Sequence, residues 1–276
     1  NKNKCSFLRN SIEYCGYVVS KEGLRKSEKN VEAVLKMQKP TSKTDVRTFC
    51  GMVNYYRKFI PNLASLLQPL YDLLKKENEF VWGHAQNEAF EEAKTLLCDK
   101  RVLAHFNPHL KLMLTTDASS HGIGAVLSHV MKDASERPIA FISRCLSPSE
   151  QNYSTIEKEG LAIIWSIQKF HHYLEGRRFT LITDHKPLLA IFNPKNGIPK
   201  TAAARIQRWA LLLSGYMFDI KYQSGIQNIP ADCLSRLNNT QTLHDDGLGR
   251  GNSLMDSELI KNIATDGDTL VLQWET

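Results

Sequence analysis

Apolar and polar residues alternate over Ile12, Tyr14, Gly16 and Val18 before the turn signal Lys21-Glu22-Gly23, which predicts a short hairpin. From Ser27, a residue type that caps helices, Val31, Val34 and Leu35 recur at helical spacing until Lys39-Pro40 ends the pattern. Thr44 is the expected cap of a second helix. Its stripe of Val46, Phe49, Cys50, Val53, Tyr56 and Ile60 stops at Pro61. Two more helices are expected, from about Asn62 to Leu74 and from about His84 to Leu97. Their short connections predict a small antiparallel bundle.

After about residue 101 the pattern changes to strands over Leu112–Thr116, Gly122–Val130 and Pro138–Ser143, the layout of an antiparallel meander. A long amphipathic helix follows. Ser154-Thr155-Ile156-Glu157 opens it as a capping box, and Ile156, Ile163, Ile164, Ile167, Phe170 and Leu174 form its apolar face. Then come a strand over Phe179–Thr183, a helix containing Arg205 to Leu213, a strand over Met217–Tyr222, and a helix start near Asn228-Ile229-Pro230. Strands followed by alternating helix and strand predict an α/β fold with a mixed sheet. Residues 238–276 show no sustained period and read as an acidic linker or tail, with Leu254–Ile263 as one helical piece within it.

Charge sharpens this division. The tail holds seven acids against Arg250 and Lys261, a net −5, so residues 1–237 carry 33 basic and 22 acidic residues, a net +11. Such a balance suits a polyanionic partner, with an ordinary basic surface as the alternative. The six cysteines, at 5, 15, 50, 98, 145 and 233, are scattered and form no Cys-x-x-Cys pair, which supports neither a zinc site nor a disulfide framework and predicts reduced thiols. No apolar run approaches a membrane span, so no membrane partner is expected. The charged opening Asn1-Lys2-Asn3-Lys4-Cys5 shows no signal region, and a cytoplasmic or nuclear location is expected.

Four carboxylates stand at element ends: Asp117 closing a strand, Glu159 in the amphipathic helix, Asp184 closing another strand, and Asp232 in the first turn of the last helix. If the strands of Asp117 and Asp184 are parallel neighbours, both side chains emerge at one sheet edge. Glu159 lies three residues after Ile156 and four before Ile163, on the helix side turned toward the sheet. Without a cation such acids would repel and raise one another's pKa values. Hard divalent ions take oxygen ligands, and two of them about 3.5–4 Å apart support in-line phosphodiester hydrolysis. Each acid alone reads more readily as a cap or surface charge, and it is their combination that reverses this.

Four ordered groups of residues, Thr116-Asp117-Ala118-Ser119, Tyr153-Ser154 with Glu157-Lys158-Glu159, Thr183-Asp184-His185, and Ala231-Asp232-Cys233-Leu234-Ser235-Arg236, resemble the ribonuclease H motifs of gypsy-type LTR retrotransposon reverse transcriptases. Upstream, Leu24 through Phe59, above all Phe49-Cys50-Gly51-Met52-Val53-Asn54-Tyr55-Tyr56-Arg57-Lys58-Phe59, is similar to that family's thumb, and Phe80-Val81-Trp82 to its approach to the nuclease. The resemblance covers residues 1 to about 237. It implies a ribonuclease H-like mixed five-stranded sheet with helices, preceded by a small α-helical thumb-like bundle. The implied divisions are a trailing palm hairpin at 1–20, a thumb or connection at 21–100, and the nuclease domain at 101–237.

The resemblance also implies hydrolysis of the RNA strand of RNA–DNA hybrids, with Asp117, Glu159, Asp184 and Asp232 as ligands of two Mg2+ ions, Mn2+ being an alternative. Glu159 is preferred over Glu157 because Leu161-Ala162-Ile163 follows it, after a Gly160 that departs from the family's apolar residue and costs the helix up to about 1 kcal/mol. Gln223-Ser224-Gly225 occupies the loop where cellular and retroviral relatives carry a histidine, a loss expected to slow proton transfer or release. The implied partners are the hybrid and its backbone, and the remaining palm, fingers, protease and integrase parts of a pol polyprotein, within virus-like particles or the nucleus. No Tyr-x-Asp-Asp signature is present, so polymerisation is assigned to a longer parent and not to these residues.

Arg57, Lys58, Arg177, Arg178, His185, Lys186, Arg205 and Arg208 are candidate backbone contacts, against the alternative of a solvated face. His171-His172, Trp165 and Trp209 read as structural. A reading from another class, a non-catalytic nucleic-acid-binding remnant or domesticated element-derived protein, stands beside the enzyme.

Overall fold

The first strand signal resolves into three strands, because the chain turns at Cys15-Gly16, both at positive φ (45° and 72°), in the middle of the alternating run. The computed structural model describes residues 8–194 and 203–224. β1 (Ser11–Tyr14), β2 (Tyr17–Ser20) and β3 (Gly23–Lys26) form an antiparallel meander, so the small sheet continues past residue 20. All four residues of β1 are exposed, and its outer edge has no partner strand among the described residues.

α1 (Glu28–Leu35) begins after Ser27 as expected, but the Ser27 hydroxyl donates to Glu13 instead of capping. α2 (Lys43–Tyr55) is capped by Ser42 and not by Thr44: the Ser42 hydroxyl accepts from the Asp45 amide, and the Asp45 carboxylate accepts from the Ser42 amide. A 3-10 turn at Arg57–Phe59 ends this segment before Pro61. The next helix divides into α3 (Leu63–Leu66) and α4 (Gln68–Leu74), because Pro69 has no N–H to continue the ladder and restarts it from its first turn. α5 (His84–Cys98) completes the helical module.

β4 (Lys111–Ala118), β5 (Gly122–Val130) and β6 (Glu136–Cys145) form the expected meander. After them come α6 (Pro148–Gln151), α7 (Thr155–Lys169), α8 (His171–Leu174), β7 (Arg178–Thr183), α9 (Lys186–Ile191), α10 (Ala204–Leu213) and β8 (Met217–Tyr222). The short α6 and α9 have no counterpart in the sequence reading. The five strands are ordered β6-β5-β4-β7-β8, with β4, β7 and β8 parallel and β5 antiparallel to both its neighbours, which is the mixed sheet expected.

Alternation along β5 assigns its two faces to two cores. Ala125 and Leu127 pack with Ile163, Ile164 and Ile167 of α7 and with Leu114 and Leu181. Val126, with Phe141 of β6, joins Phe49, Phe59, Ile60 and Leu63 of the helical module. Arg101 fastens this junction by donating to the Phe59 carbonyl and lying 4.9 Å from the Phe141 ring. No helix among the described residues is long and apolar enough to cross a membrane. The expected helix from Asn228 and the acidic tail lie outside the described residues.

Candidate metal centre

β4 and β7 run parallel, with Leu112 opposite Phe179 and Thr115 opposite Ile182. Carrying that register forward brings Asp117 level with Asp184 at the carboxyl ends of both strands, where a strand turning outward presents its side chain to a common crevice. α7 crosses the same sheet and delivers Glu159, which is 5% exposed. Asp117, Glu159 and Asp184 each present an oxygen such that all three lie within 4.8 Å of one another. Asp232 lies outside the described residues.

The electrostatics of the cluster are those of a site short of positive charge. Burial, then the neighbouring Asp184 and Asp117, push the Glu159 carboxyl up to about 8. Asp117 is raised for the same reasons, burial first and Asp184 second, while a hydrogen bond from Asn62 opposes the shift. Glu159 Oε2 is buried without a hydrogen-bond partner. The ion pairs among the described residues include none of the three acids. An orphaned buried carboxylate oxygen among converging acids is what a hard divalent cation would satisfy, and the donor set fits one.

Glu157 is occupied elsewhere. Its Oε2 accepts from the Ser154 amide at 3.1 Å and the Ser154 hydroxyl at 2.8 Å, and its Oε1 from Arg205. Those contacts, Ser154 foremost, hold its carboxyl below the usual range.

The cationic candidates separate by position. Arg177 and Arg178 lie at the opposite end of β7 from Asp184, a strand length away, and do not flank the acids. Arg178 makes a two-pronged pair with Asp219 at 2.9 and 2.8 Å, and Arg177 lies 4.9 Å from the Phe106 ring. Arg205 is held by Glu157 and lies 3.9 Å from the Tyr153 ring, so it braces α10 against α7. Lys58, half-buried, is over the Tyr17 ring at 4.0 Å, and burial lowers it to about 8. His185 and Lys186 follow Asp184 directly, with Lys186 4.8 Å from the Tyr222 ring. Arg57 and Arg208 are exposed.

His171 bonds Tyr216 at 2.8 Å, in keeping with a structural part. Gln223 comes level with Asp184 through the Thr183–Tyr222 register, and its amide donates to the Thr183 carbonyl at 3.0 Å. Asn62, by its place at a predicted helix start, reads from the sequence as a cap.

Comparison with known proteins agrees with this geometry. Residues 107–216 match the family described as the RNase H-like domain found in reverse transcriptase. The retrovirus-related Pol polyprotein from transposon 297 of Drosophila melanogaster is 39% identical over 245 residues, which make up 88% of this chain and 22% of that protein. The transposon Tf2-3 polyprotein of Schizosaccharomyces pombe is 37% identical over 239 residues, 86% of this chain and 18% of that protein. The chain thus spans about a fifth of the length of these relatives. Its fold is similar to that of a foamy viral protease-reverse transcriptase solved in complex with RNA/DNA hybrid, with a TM-score of 0.64 at 18% identity over 91% of this chain and 33% of that one.

Proposed function

We propose, from the premise that this chain carries the RNase H-like domain of a retroelement reverse transcriptase and has transposon Pol polyproteins as homologues, that it hydrolyses the RNA strand of RNA–DNA hybrids. The observation that carries the reading is the convergence of Asp117, Glu159 and Asp184 around a buried, unpartnered Glu159 oxygen. Asp117, Glu159 and Asp184, joined by Asp232, would hold Mg2+, with Mn2+ as a substitute. The chemistry such ions would supply there is activation of water and stabilisation of the leaving oxygen in an in-line displacement.

The chain's own residues supply the rest. The parallel pairing of β4 and β7 fixes the two aspartates side by side, and α7 fixes Glu159 against them. Glu157 and Arg205 lock the first turn of α7 to α10, so the glutamate two residues on is presented from a braced helix. His185 and Lys186 stand beside Asp184 at the same sheet end, where positive charge can meet a phosphate backbone. Arg57 and Arg208, both exposed, are further candidates for backbone contact. In this reading residues 1–20 are the trailing hairpin of a palm and 21–100 the thumb or connection of a gypsy-type polyprotein, whose remaining parts polymerise.

The full chain is to be incubated with labelled RNA–DNA hybrid, single-stranded RNA or duplex DNA, with Mg2+ or chelator, beside Asp184→Asn. Cleavage confined to the hybrid, dependent on Mg2+, and reduced at least about a hundredfold in the variant is the expected result. Hybrid binding without cleavage by folded protein would sink the nuclease and favour the non-catalytic binding remnant.

A further inference from the structure

We propose that Asn62, carried by the helical module, is a positioning residue for Asp117 on the sheet, so that docking of the module sets the affinity of the carboxylate site for its metal. The inference rests on the metal-dependent nuclease reading above. Asn62 lies between the 3-10 turn and α3 in the left-handed region, at φ 47° and ψ 28°. Asparagine is one of the few side-chain-bearing residues that adopt this conformation readily. Its Nδ2 donates to Asp117 Oδ2 at 3.1 Å.

The sheet is shaped to receive it. Gly124 is the cross-strand partner of Asp117, and a Cβ there would lie 2.0 Å from Asn62 Oδ1 and 3.2 Å from its Cγ. Two residues back on the same face, a Cβ at Gly122 would lie 2.6 Å from Ser65 Oγ. The same segment is pinned on both sides, since the Ala64 amide donates to the Ser143 hydroxyl at 3.0 Å and Ser65 Oγ is 3.2 Å from Ser119 Oγ. The carboxamide orientation follows from chemistry: its oxygen turned to Asp117 would oppose two acceptors, whereas its nitrogen donates.

The Asn62 hydrogen bond, beside one from the Ala118 backbone, restricts rotation of the Asp117 carboxylate about its terminal torsion. A hydrogen bond to a charged group is the stronger kind, so its loss should be readable in metal affinity. If Asn62 served only to turn the chain, glycine would serve equally, because it adopts left-handed φ at no steric cost.

That alternative fixes the experiment. The full chain, Asn62→Gly, Gly124→Ala and the double variant are titrated with Mn2+ alone, reading the free-ion paramagnetic resonance signal, and thermal unfolding is recorded for each. Half-saturating Mg2+ for hybrid cleavage is the second readout. Asn62→Gly is expected to weaken Mn2+ binding about five- to tenfold with its unfolding temperature nearly unchanged. Gly124→Ala should reproduce the loss by expelling the Asn62 side chain. In the double variant the added methyl displaces nothing, so its affinity should equal that of Asn62→Gly.

Wild-type or tighter affinity in Asn62→Gly, or additive losses in the double variant, would overturn the positioning role while leaving the nuclease reading intact. A wild-type chain that takes up no Mn2+ and cleaves no hybrid would overturn both.

Discussion

Glu159 is 5% exposed and has one oxygen without a partner, so ionising it in the metal-free protein is costly. Its folded-state pKa is raised to about 8, above the unfolded carboxyl range, which means the folded state binds the proton more tightly. Stability from this group is therefore full at low pH and is lost as pH rises from the ordinary carboxyl range through about 8. Asp117 shifts in the same direction. Metal-free Glu159→Gln should unfold at a temperature higher by several degrees at pH 8.5, roughly 2 kcal/mol, and match the wild type near pH 4. Thermal scans in chelator across that range check it, and an unchanged difference at both pH values would contradict it. Metal binding needs the ionised carboxylate, so Mg2+ affinity should fall as pH drops below about 8.

Asp117, Glu159 and Asp184 were legible as residues because strand ends and helix phase are local properties of a sequence. Asn62 was not, since its partner lies 55 residues away. The partners of Arg178 and Arg205 were equally hidden, since Asp219 and Glu157 lie 41 and 48 residues away.

Among the elements, β5 and β8 matched their expected limits because apolar runs there end at turn residues. The split of α3 from α4 and the turn inside the first alternating run were missed, the second because Cys15 adopts left-handed φ, which a side-chain-bearing residue rarely signals. Two helical glycines show how packing decides what propensity leaves open. A Cβ at Gly160 of α7 would lie 3.0 and 3.1 Å from two Trp209 ring carbons and 3.5 Å from Phe192, whereas one at Gly51 of α2 would meet nothing within 4 Å. Gly51→Ala should stabilise by up to about 1 kcal/mol through propensity alone. Gly160→Ala should instead destabilise by about 1 kcal/mol, because a rigid indole must move. Denaturant titrations of both variants separate the two effects, and equal gains would refute the packing account.

At the scale of the molecule, a boundary near residue 100 follows a change of sequence pattern but not a break in packing. Val126 and Phe141 of the sheet lie in one core with Phe49, Phe59 and Leu63 of the helices, and Leu24 of β3 bridges to Leu103. A sequence pattern shows that a strand has two apolar faces and is silent about which module covers each. Phe141, 3% exposed, therefore contributes to both halves. Phe141→Ala should cost about 3 kcal/mol or more, and hydrogen exchange should lose protection in α2 and β5 together. Loss in one of them alone would mean the two modules unfold independently.

The outer edge of β1 has a further consequence for how the protein behaves in a tube. Its backbone donors and acceptors face outward without a partner strand among the described residues, beside Ile12 at 50% and Tyr14 at 62% exposure. An edge of that kind is a template for a second chain. A second strand added there would zip on by backbone hydrogen bonds, a contact indifferent to whether the acids hold metal.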